Sequence, residues 1–501
     1  MEPWTVKRLQ NHVRRRLGEI SLIVVSNREP YLHIEEQGHL RCVRPAGGLV
    51  TALDPVMRAC GGTWVAHGAG PADWKVVDAE GRVPVPPGSP RYTLKRVWLS
   101  EEEEQSYYAG FANEALWPLC HMAYVRPVFR GLDWRAYWAA NQLFAKAVLE
   151  EITGPTAIWV QDYHLALLPA MVKASRPEVL LAHFWHIPWP TPEVYQICPW
   201  KRELLEGLLA NDILGFHIRH YCDNFLDTVA RELEAKVDHE RSAVTYRGHT
   251  TFVHSLPISV DFAELSAAAA SREVEAEVER LRSRYGLSQE LIAVGLDRID
   301  YTKGIPERLQ AVERLIETYP EYRKRFVFVQ AGVPSRSQIP AYRLLRARIE
   351  RMVRQINRRH AEHGWTPVLL LPEQPSQTQI LALFRLATCL VVTPLDDGMN
   401  LVAKEFVAAR SDGDGVLLLS QFTGAARELT DALRANPYDI EGLAEHLRAA
   451  VEMPEPARRE RMARLRETVA QQNIYRWAGE ALEALLRQPA RSPRLTGGHD
   501  A

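Results

Sequence analysis

The stretch Pro394-Leu395-Asp396-Asp397-Gly398-Met399-Asn400-Leu401-Val402-Ala403-Lys404-Glu405 decides how this chain is read. It follows an apolar run, Cys389-Leu390-Val391-Val392-Thr393, of the kind that forms a buried strand, and it opens a helical segment. A strand, a glycine-containing turn and a helix start leave backbone N–H groups at the positive end of the helix dipole, and this makes an anion site. Asp397 stands at the mouth of the turn, placed to accept from sugar hydroxyls. Glu405 lies eight positions on, inside the helix, where a carboxylate could hold a ribose diol. Hydroxyls, then diphosphate, then ribose describe a sugar nucleotide. An ordinary strand–turn–helix with a capping aspartate has the same local pattern, since such junctions are common.

Outward from this stretch, strand-like runs alternate with helical periodicity, which predicts α/β architecture with parallel sheets. The strands are expected at Leu22–Ser26, Ala157–Val160, Leu180–Trp185 and Ile213–Phe216 in the first half. In the second half they are expected at Leu291–Leu296, Phe326–Gln330, Val368–Leu371, Leu390–Thr393 and Val416–Leu419. A hairpin-like stretch, Ala243–Val253, precedes Leu256-Pro257-Ile258, where the hinge between the halves is placed. The expected organisation is a basic extension (1–19), a Rossmann-like acceptor domain (20–256) and a Rossmann-like nucleotide-sugar domain (257–470). A terminal helix (471–488) crosses back to the first domain, and a disordered tail (489–501) follows. Two doubly wound domains would face each other across a cleft, with ligands at the carboxyl ends of the strands.

At 501 residues the chain is too long for one core. With 46% hydrophobic and 25% charged residues, its composition is that of a globular protein rather than a disordered one. A net charge of −1 supplies no drive toward nucleic acid or an anionic membrane, and no apolar run reaches the length of a membrane span. The six cysteines are scattered and form no C-x-x-C pair, which fits a reducing cytoplasm rather than a zinc or disulfide framework. The basic N-terminus (Lys7, Arg8, Arg14, Arg15, Arg16) lacks the apolar core of a signal peptide and is expected to be a solvated helix face.

Other residues point to the same chemistry. Arg298 and Lys303 lie between the first strand of the second half and its helix. Cations at a helix start oppose the dipole, so an anion there would account for them, and they could stabilise charge developing on a departing phosphate. Arg336, at another strand end, suits bidentate phosphate recognition. Gly47 and Gly48 form a tight pair before a helix and would let the backbone approach a phosphate, although an empty turn looks the same. Tyr108 and Trp117 offer aromatic surface to a sugar, or else belong to the core. Asp162 and His164 at one strand tip and His186 at the next could form an acid/base or hydroxyl-binding group. A metal pair would lack a third ligand at suitable spacing. The Asp412-Gly413-Asp414-Gly415 run precedes a strand rather than following one, so it is expected to be a solvated loop and not a phosphatase pair.

From about Leu22 to Trp477 these motifs resemble the trehalose-6-phosphate synthase family, the retaining glycosyltransferases of family 20. The resemblance implies a GT-B fold and transfer of glucose from a nucleotide diphosphate, expected to be UDP-glucose, to glucose 6-phosphate. It implies donor contacts from Gly47, Gly48, His186, Arg298, Lys303, Asp397, Gly398, Met399, Asn400, Leu401, Val402 and Glu405. Of these, Arg298, Lys303, His186 and Asp397 would serve catalysis, and Arg28, Tyr108, Trp117, Asp162 and Arg336 would hold the acceptor. The nucleotide sugar is then a substrate, no cofactor or metal is required, and self-association into a homo-oligomer is left open. Three features depart from relatives. Ala66-His67-Gly68-Ala69 stands where bacterial enzymes read Gly-Trp-Ser-Gly, the Glu29–Arg44 loop is longer, and Asp396 replaces an arginine. The first two lie on the acceptor side and leave glycerol 3-phosphate as an alternative acceptor. A non-catalytic sugar-phosphate sensor would be expected to have lost Arg298, Lys303, Asp397 and Glu405, which are all present.

Overall fold

The computed structural model describes residues 3–45, 47–288, 291–362, 364–372 and 374–487. The tail expected at 489–501 lies outside the described residues. The chain divides into two compact units. The C-terminal unit comprises Ile258–Ile474, with Pro3 and the short segment His121–Tyr124. The N-terminal unit comprises Trp4–Cys120, Val125–Pro257 and the residues from Tyr475 onward.

The N-terminal unit contains β1 (Ser21–Arg28), the hairpin β2 (Leu32–Glu36) and β3 (His39–Val43), β4 (Thr63–His67), β5 (Arg82–Val85) and β6 (Tyr92–Val97). It continues with β7 (Thr156–Gln161), β8 (Leu180–Phe184), β9 (Ile213–Phe216), β10 (Lys236–Asp238), β11 (Ala243–Tyr246) and β12 (His249–Ser255). Ten of these form one sheet in the order β10-β11-β12-β9-β8-β7-β1-β4-β6-β5. From β12 to β6 every neighbouring pair is parallel, and antiparallel strands finish both edges. The Glu29–Arg44 loop holds the separate hairpin, β2 paired with β3. The basic N-terminal segment is a helix, Val6–Leu17, that buries Leu9, Val13 and Leu17. Those residues are four apart and so make one apolar stripe, while the arginines take the other faces. Arg16 pairs with Glu483 of the terminal helix Ile474–Leu486. From that helix Trp477 packs 4.7 Å from the Trp159 ring and 5.2 Å from Phe184.

The C-terminal unit has six parallel strands: β13 (Leu291–Arg298), β14 (Phe326–Val333), β15 (Val368–Leu370), β16 (Cys389–Val392), β17 (Val416–Ser420) and β18 (Leu433–Ala435). Their order is β15-β14-β13-β16-β17-β18. Numbered within the unit this is 3-2-1-4-5-6, the doubly wound Rossmann order, which reverses between β13 and β16. Both strands are apolar and buried along nearly their whole length, as central parallel strands must be. The helix Ile305–Thr318 begins with Pro306 in its first turn and buries Leu309, Val312, Leu315 and Ile316 against the sheet. Among the described residues no helix is long and apolar enough to cross a membrane.

Candidate active site

The topological switch of the C-terminal unit is where ligands bind in open α/β sheets, and Lys303 and Asp397 meet there. Lys303 ends a 3₁₀ turn, Tyr301–Lys303, directly after β13, and Asp397 lies in the loop after β16. Lys303 Nζ donates to Asp397 Oδ2 at 2.6 Å, with the two side chains only 8% and 14% exposed. Burial pushes the Asp397 carboxyl up, but the Lys303 ammonium, His121 and the Asn400 amide more than reverse this and hold it below its usual value. Asn400 takes the uncommon φ of +80°, caps the helix Leu401–Ala409 by accepting from Ala403 N, and donates to Asp397 Oδ2 at 3.1 Å. The loop is clamped from behind: a Cβ on Gly424 would lie 2.1 Å from Gly398 O. Gly304 is equally constrained, with φ +61° and Thr393 O 2.0 Å from where its Cβ would be.

Three cations act on Asp300, the residue that caps the turn before Lys303. Burial favours its neutral form, yet Arg336, Arg298 and Lys303 together keep its carboxyl below the usual value. Arg336 Nη1 donates to Asp300 Oδ2 at 3.2 Å and to Tyr342 OH at 2.6 Å, and the arginine is buried. Cations gathered at this strand end suit an anionic ligand. Glu405 keeps some surface, but its surroundings are apolar enough that burial pushes its carboxyl up to about 7. Asp396 is pushed to about 7 as well, chiefly by burial, and accepts from Met122 N at 2.9 Å.

The N-terminal unit assembles a second cluster at the carboxyl ends of β1, β7 and β8. Arg28 Nη2 donates to Tyr108 OH at 3.0 Å. The Tyr108 ring stacks on His164, centroids 5.5 Å apart and 13° from parallel. His164 Nδ1 lies 3.7 Å from Asp162 Oδ2, and Asp162 Oδ1 accepts from His186 N at 3.3 Å. Asp162 adopts φ +73°, a conformation that costs a non-glycine residue about 1–3 kcal/mol. A Cβ on Gly47 would come within 3.6 Å of Arg28 Nη1, and Gly48 begins the helix that follows. Trp117 is buried, its ring 5.9 Å from Tyr163, so it shapes this cluster from beneath. Burial, with smaller contributions from His217, His183 and His164, holds His186 well below its ordinary pKa, so it is neutral at pH 7. Its Nε2 lies 2.8 Å from Gln161 Oε1.

Each departure from the bacterial pattern has a defined place. His67 is buried at the end of β4, in register with Arg28. Glu29 accepts from Arg96 Nε and Ala69 N, both at 2.8 Å, which ties the strand end to the Ala66–Ala69 turn. Asp412 and Asp414 are paired with Arg410 and Arg458, as a structural loop would be. Asp300, Gln161, His217 and His121 were not singled out from the sequence. Only Asp300 left a signal there, as a short polar residue just before a turn.

The family model for glycosyltransferase family 20 matches residues 20–487. The trehalose-6-phosphate synthase of Mycobacterium leprae is 37% identical over 486 residues, which are 95% of this chain and 97% of that protein. Among solved structures, one from E. coli bound with UDP-2-fluoro glucose aligns with TM-score 0.83 and 31% identity over 94% of this chain and 100% of that one. An alpha,alpha-trehalose-phosphate synthase (UDP-forming) from Burkholderia xenovorans in complex with glucose-6-phosphate aligns with TM-score 0.83 and 32% identity over 93% and 100%. Two Rossmann-like units in one chain, with loops carrying anion-binding groups at their strand ends, define a glycosyltransferase of GT-B type. The chain belongs to glycosyltransferase family 20.

Proposed function

We propose that this protein transfers glucose from UDP-glucose to the anomeric hydroxyl of glucose 6-phosphate with retention, forming α,α-trehalose 6-phosphate. The observation that carries the proposal is the Lys303–Asp397 pair at the strand-order reversal, beside the capped start of the Leu401–Ala409 helix, in a chain of this family. In this proposal the diphosphate meets Arg298, Lys303 and the N–H groups of the loop from Gly398 to Val402, and Glu405 holds the ribose. Asp397 and neutral His186 contact glucose hydroxyls, with Gly47 and Gly48 close to the donor. Arg28, Tyr108, Asp162 and Arg336 serve the acceptor and Trp117 backs them.

The bond from glucose C1 to the diphosphate oxygen breaks as C1 bonds to the acceptor oxygen on the same face. The acceptor proton passes to the departing phosphate oxygen, whose charge Arg298 and Lys303 stabilise as it develops. No carboxylate is assigned as a nucleophile, in contrast to retaining hydrolases. Metal-free transfer is part of the proposal, since these cations and N–H groups serve the diphosphate. Nucleotide release would be measured from UDP-, GDP- and ADP-glucose, each with glucose 6-phosphate or glycerol 3-phosphate and with chelator present. Release from UDP-glucose with glucose 6-phosphate alone supports the proposal. Turnover only with glycerol 3-phosphate reassigns the acceptor and points to the His67 region, and trapping of a covalent glucosyl-enzyme rules out same-face transfer.

A further inference from the structure

Away from the strand ends, the C-terminal unit brings together Glu313, Glu317 and His360. The two glutamates are four residues apart on the helix Ile305–Thr318 and so lie on one face, one turn apart. His360 is the last residue of the helix Pro340–His360. One donor atom from each residue lies within 4.8 Å of the other two. His360 Nε2 is 3.4 Å from Glu313 Oε1 and 3.9 Å from Glu317 Oε1. The His360 side chain is only 10% exposed, and its Nε2 is buried with no hydrogen-bond partner. A buried ring nitrogen in that condition is unfavourable unless another group fills the place.

The charges nearby relieve the glutamates without satisfying the imidazole. Arg359 Nη1 donates to Glu313 Oε1 at 2.8 Å, and Arg314 Nη1 lies 3.9 Å from Glu317 Oε2. Two carboxylates in the last turns of a helix still oppose each other and the dipole. One imidazole nitrogen and two carboxylate oxygens are a donor set for a borderline divalent ion. A tetrahedral zinc ion with bonds near 2.0–2.1 Å holds its donor atoms about 3.4 Å apart. The His360–Glu313 separation already equals this spacing, while the other donor atoms, all within 4.8 Å, would draw closer on binding and leave the fourth position to water.

We propose that Glu313, Glu317 and His360 form a divalent-cation site of zinc type that staples the C-terminal ends of these two helices. Glu313 lies about 12 Å along its helix from Ile305, at 1.5 Å per residue, so the ion acts on the stability of the unit and not on glucosyl transfer. The test uses the full-length, untagged protein stripped with chelator. It is titrated with Zn²⁺ by calorimetry and with Co²⁺ by visible absorption, and melted with and without Zn²⁺. One equivalent of Zn²⁺ and a higher Tm are expected. His360→Gln and Glu317→Gln should each weaken that equivalent by at least about 100-fold, more than the about 10–100-fold typical of a supporting outer-shell group. Both should abolish the gain in Tm and alter the Co²⁺ spectrum, with nucleotide release unchanged. Glu317→Gln retains the Arg359–Glu313 pair, and metal-free melts of both variants confirm folding. Absence of a stoichiometric equivalent, or an equivalent unchanged by both substitutions, overturns the site and leaves His360 as an ion-pair partner of Glu313.

Discussion

Lys303→Met should separate two tasks of one ammonium group: neutralising Asp397 and, in the proposed mechanism, stabilising the departing diphosphate. The pair is 2.6 Å long and nearly buried, and of the groups that hold the Asp397 carboxyl below its usual value Lys303 acts most strongly, ahead of His121 and the Asn400 amide. Removing one partner of a buried pair costs about 3–5 kcal/mol. The loss is capped because Asp397 can take up a proton, which at pH 7 costs a carboxyl of ordinary pKa about 4 kcal/mol. A loss of about 3–4 kcal/mol follows. For a unit of this size each kcal/mol lowers Tm by about 2–4 °C, so the melt should fall by about 6–16 °C. Removing a charge-stabilising donor should also lower kcat by about 10²–10³. Adding Asp397→Asn removes the carboxylate that Lys303 neutralised, so the double variant should regain most of the lost Tm. Its kcat, measured by UDP release, should still lie about 10²-fold below that of Asp397→Asn alone. If the double variant equals Asp397→Asn in kcat, Lys303 serves only to neutralise Asp397. If Lys303→Met melts like the unsubstituted protein, the energetic argument fails.

Three further expectations follow from single positions. Gly304→Ala sets a Cβ 2.0 Å from Thr393 O at φ +61°; the backbone conformation alone costs about 1–2 kcal/mol, so a thermal melt should show a loss larger than this or a failure to fold. Asp396 has a folded pKa near 7 against an ordinary 3.8, so the folded state holds the proton more tightly. Its favourable contribution is complete below about pH 4 and is lost as pH rises through 7. Asp396→Asn should therefore match the parent near pH 4 and melt higher at pH 8, while Glu405, shifted the same way, leaves a residual slope in both proteins. Trp477→Ala removes a buried indole packed on Trp159 and Phe184; a loss of about 3–5 kcal/mol is expected, and an unchanged melt would mean that the terminal helix contributes nothing to the N-terminal unit.

The nine strands expected from apolar runs all occur in the structure. Eight of them are interior parallel strands that spell nearly continuous hydrophobic residues, and the ninth, β15, is a half-buried edge strand. β6 is not legible as an apolar run, for a physical reason. β6 carries Lys95 and Arg96, both buried, and their charges are met by Glu150 in one case and by Glu29 and Asp73 in the other. A strand whose polar residues are neutralised by distant partners has no apolar signature. The N-terminal helix shows the converse. Its five basic residues obscured a stripe of only three buried side chains, Leu9, Val13 and Leu17.

The sequence by itself determined what depends on near neighbours: the strand–turn–helix after β16, though the cap of that helix is Asn400 and not an aspartate, the glycines at tight turns, and the cations at the end of β13 and in the turn that follows. Tertiary structure alone decided the pairing of Lys303 with Asp397, of Arg336 with Asp300, and of Arg28 with Tyr108, which lie 94, 36 and 80 residues apart. It also decided that His121–Tyr124 joins the C-terminal unit, and that Asp396 and Glu405 hold protons near neutral pH. Backbone propensity and capping act over a few residues, so they are legible in order along the chain. Desolvation and ion pairing depend on which segments the sheet order brings together, and strand order is a property of the folded chain.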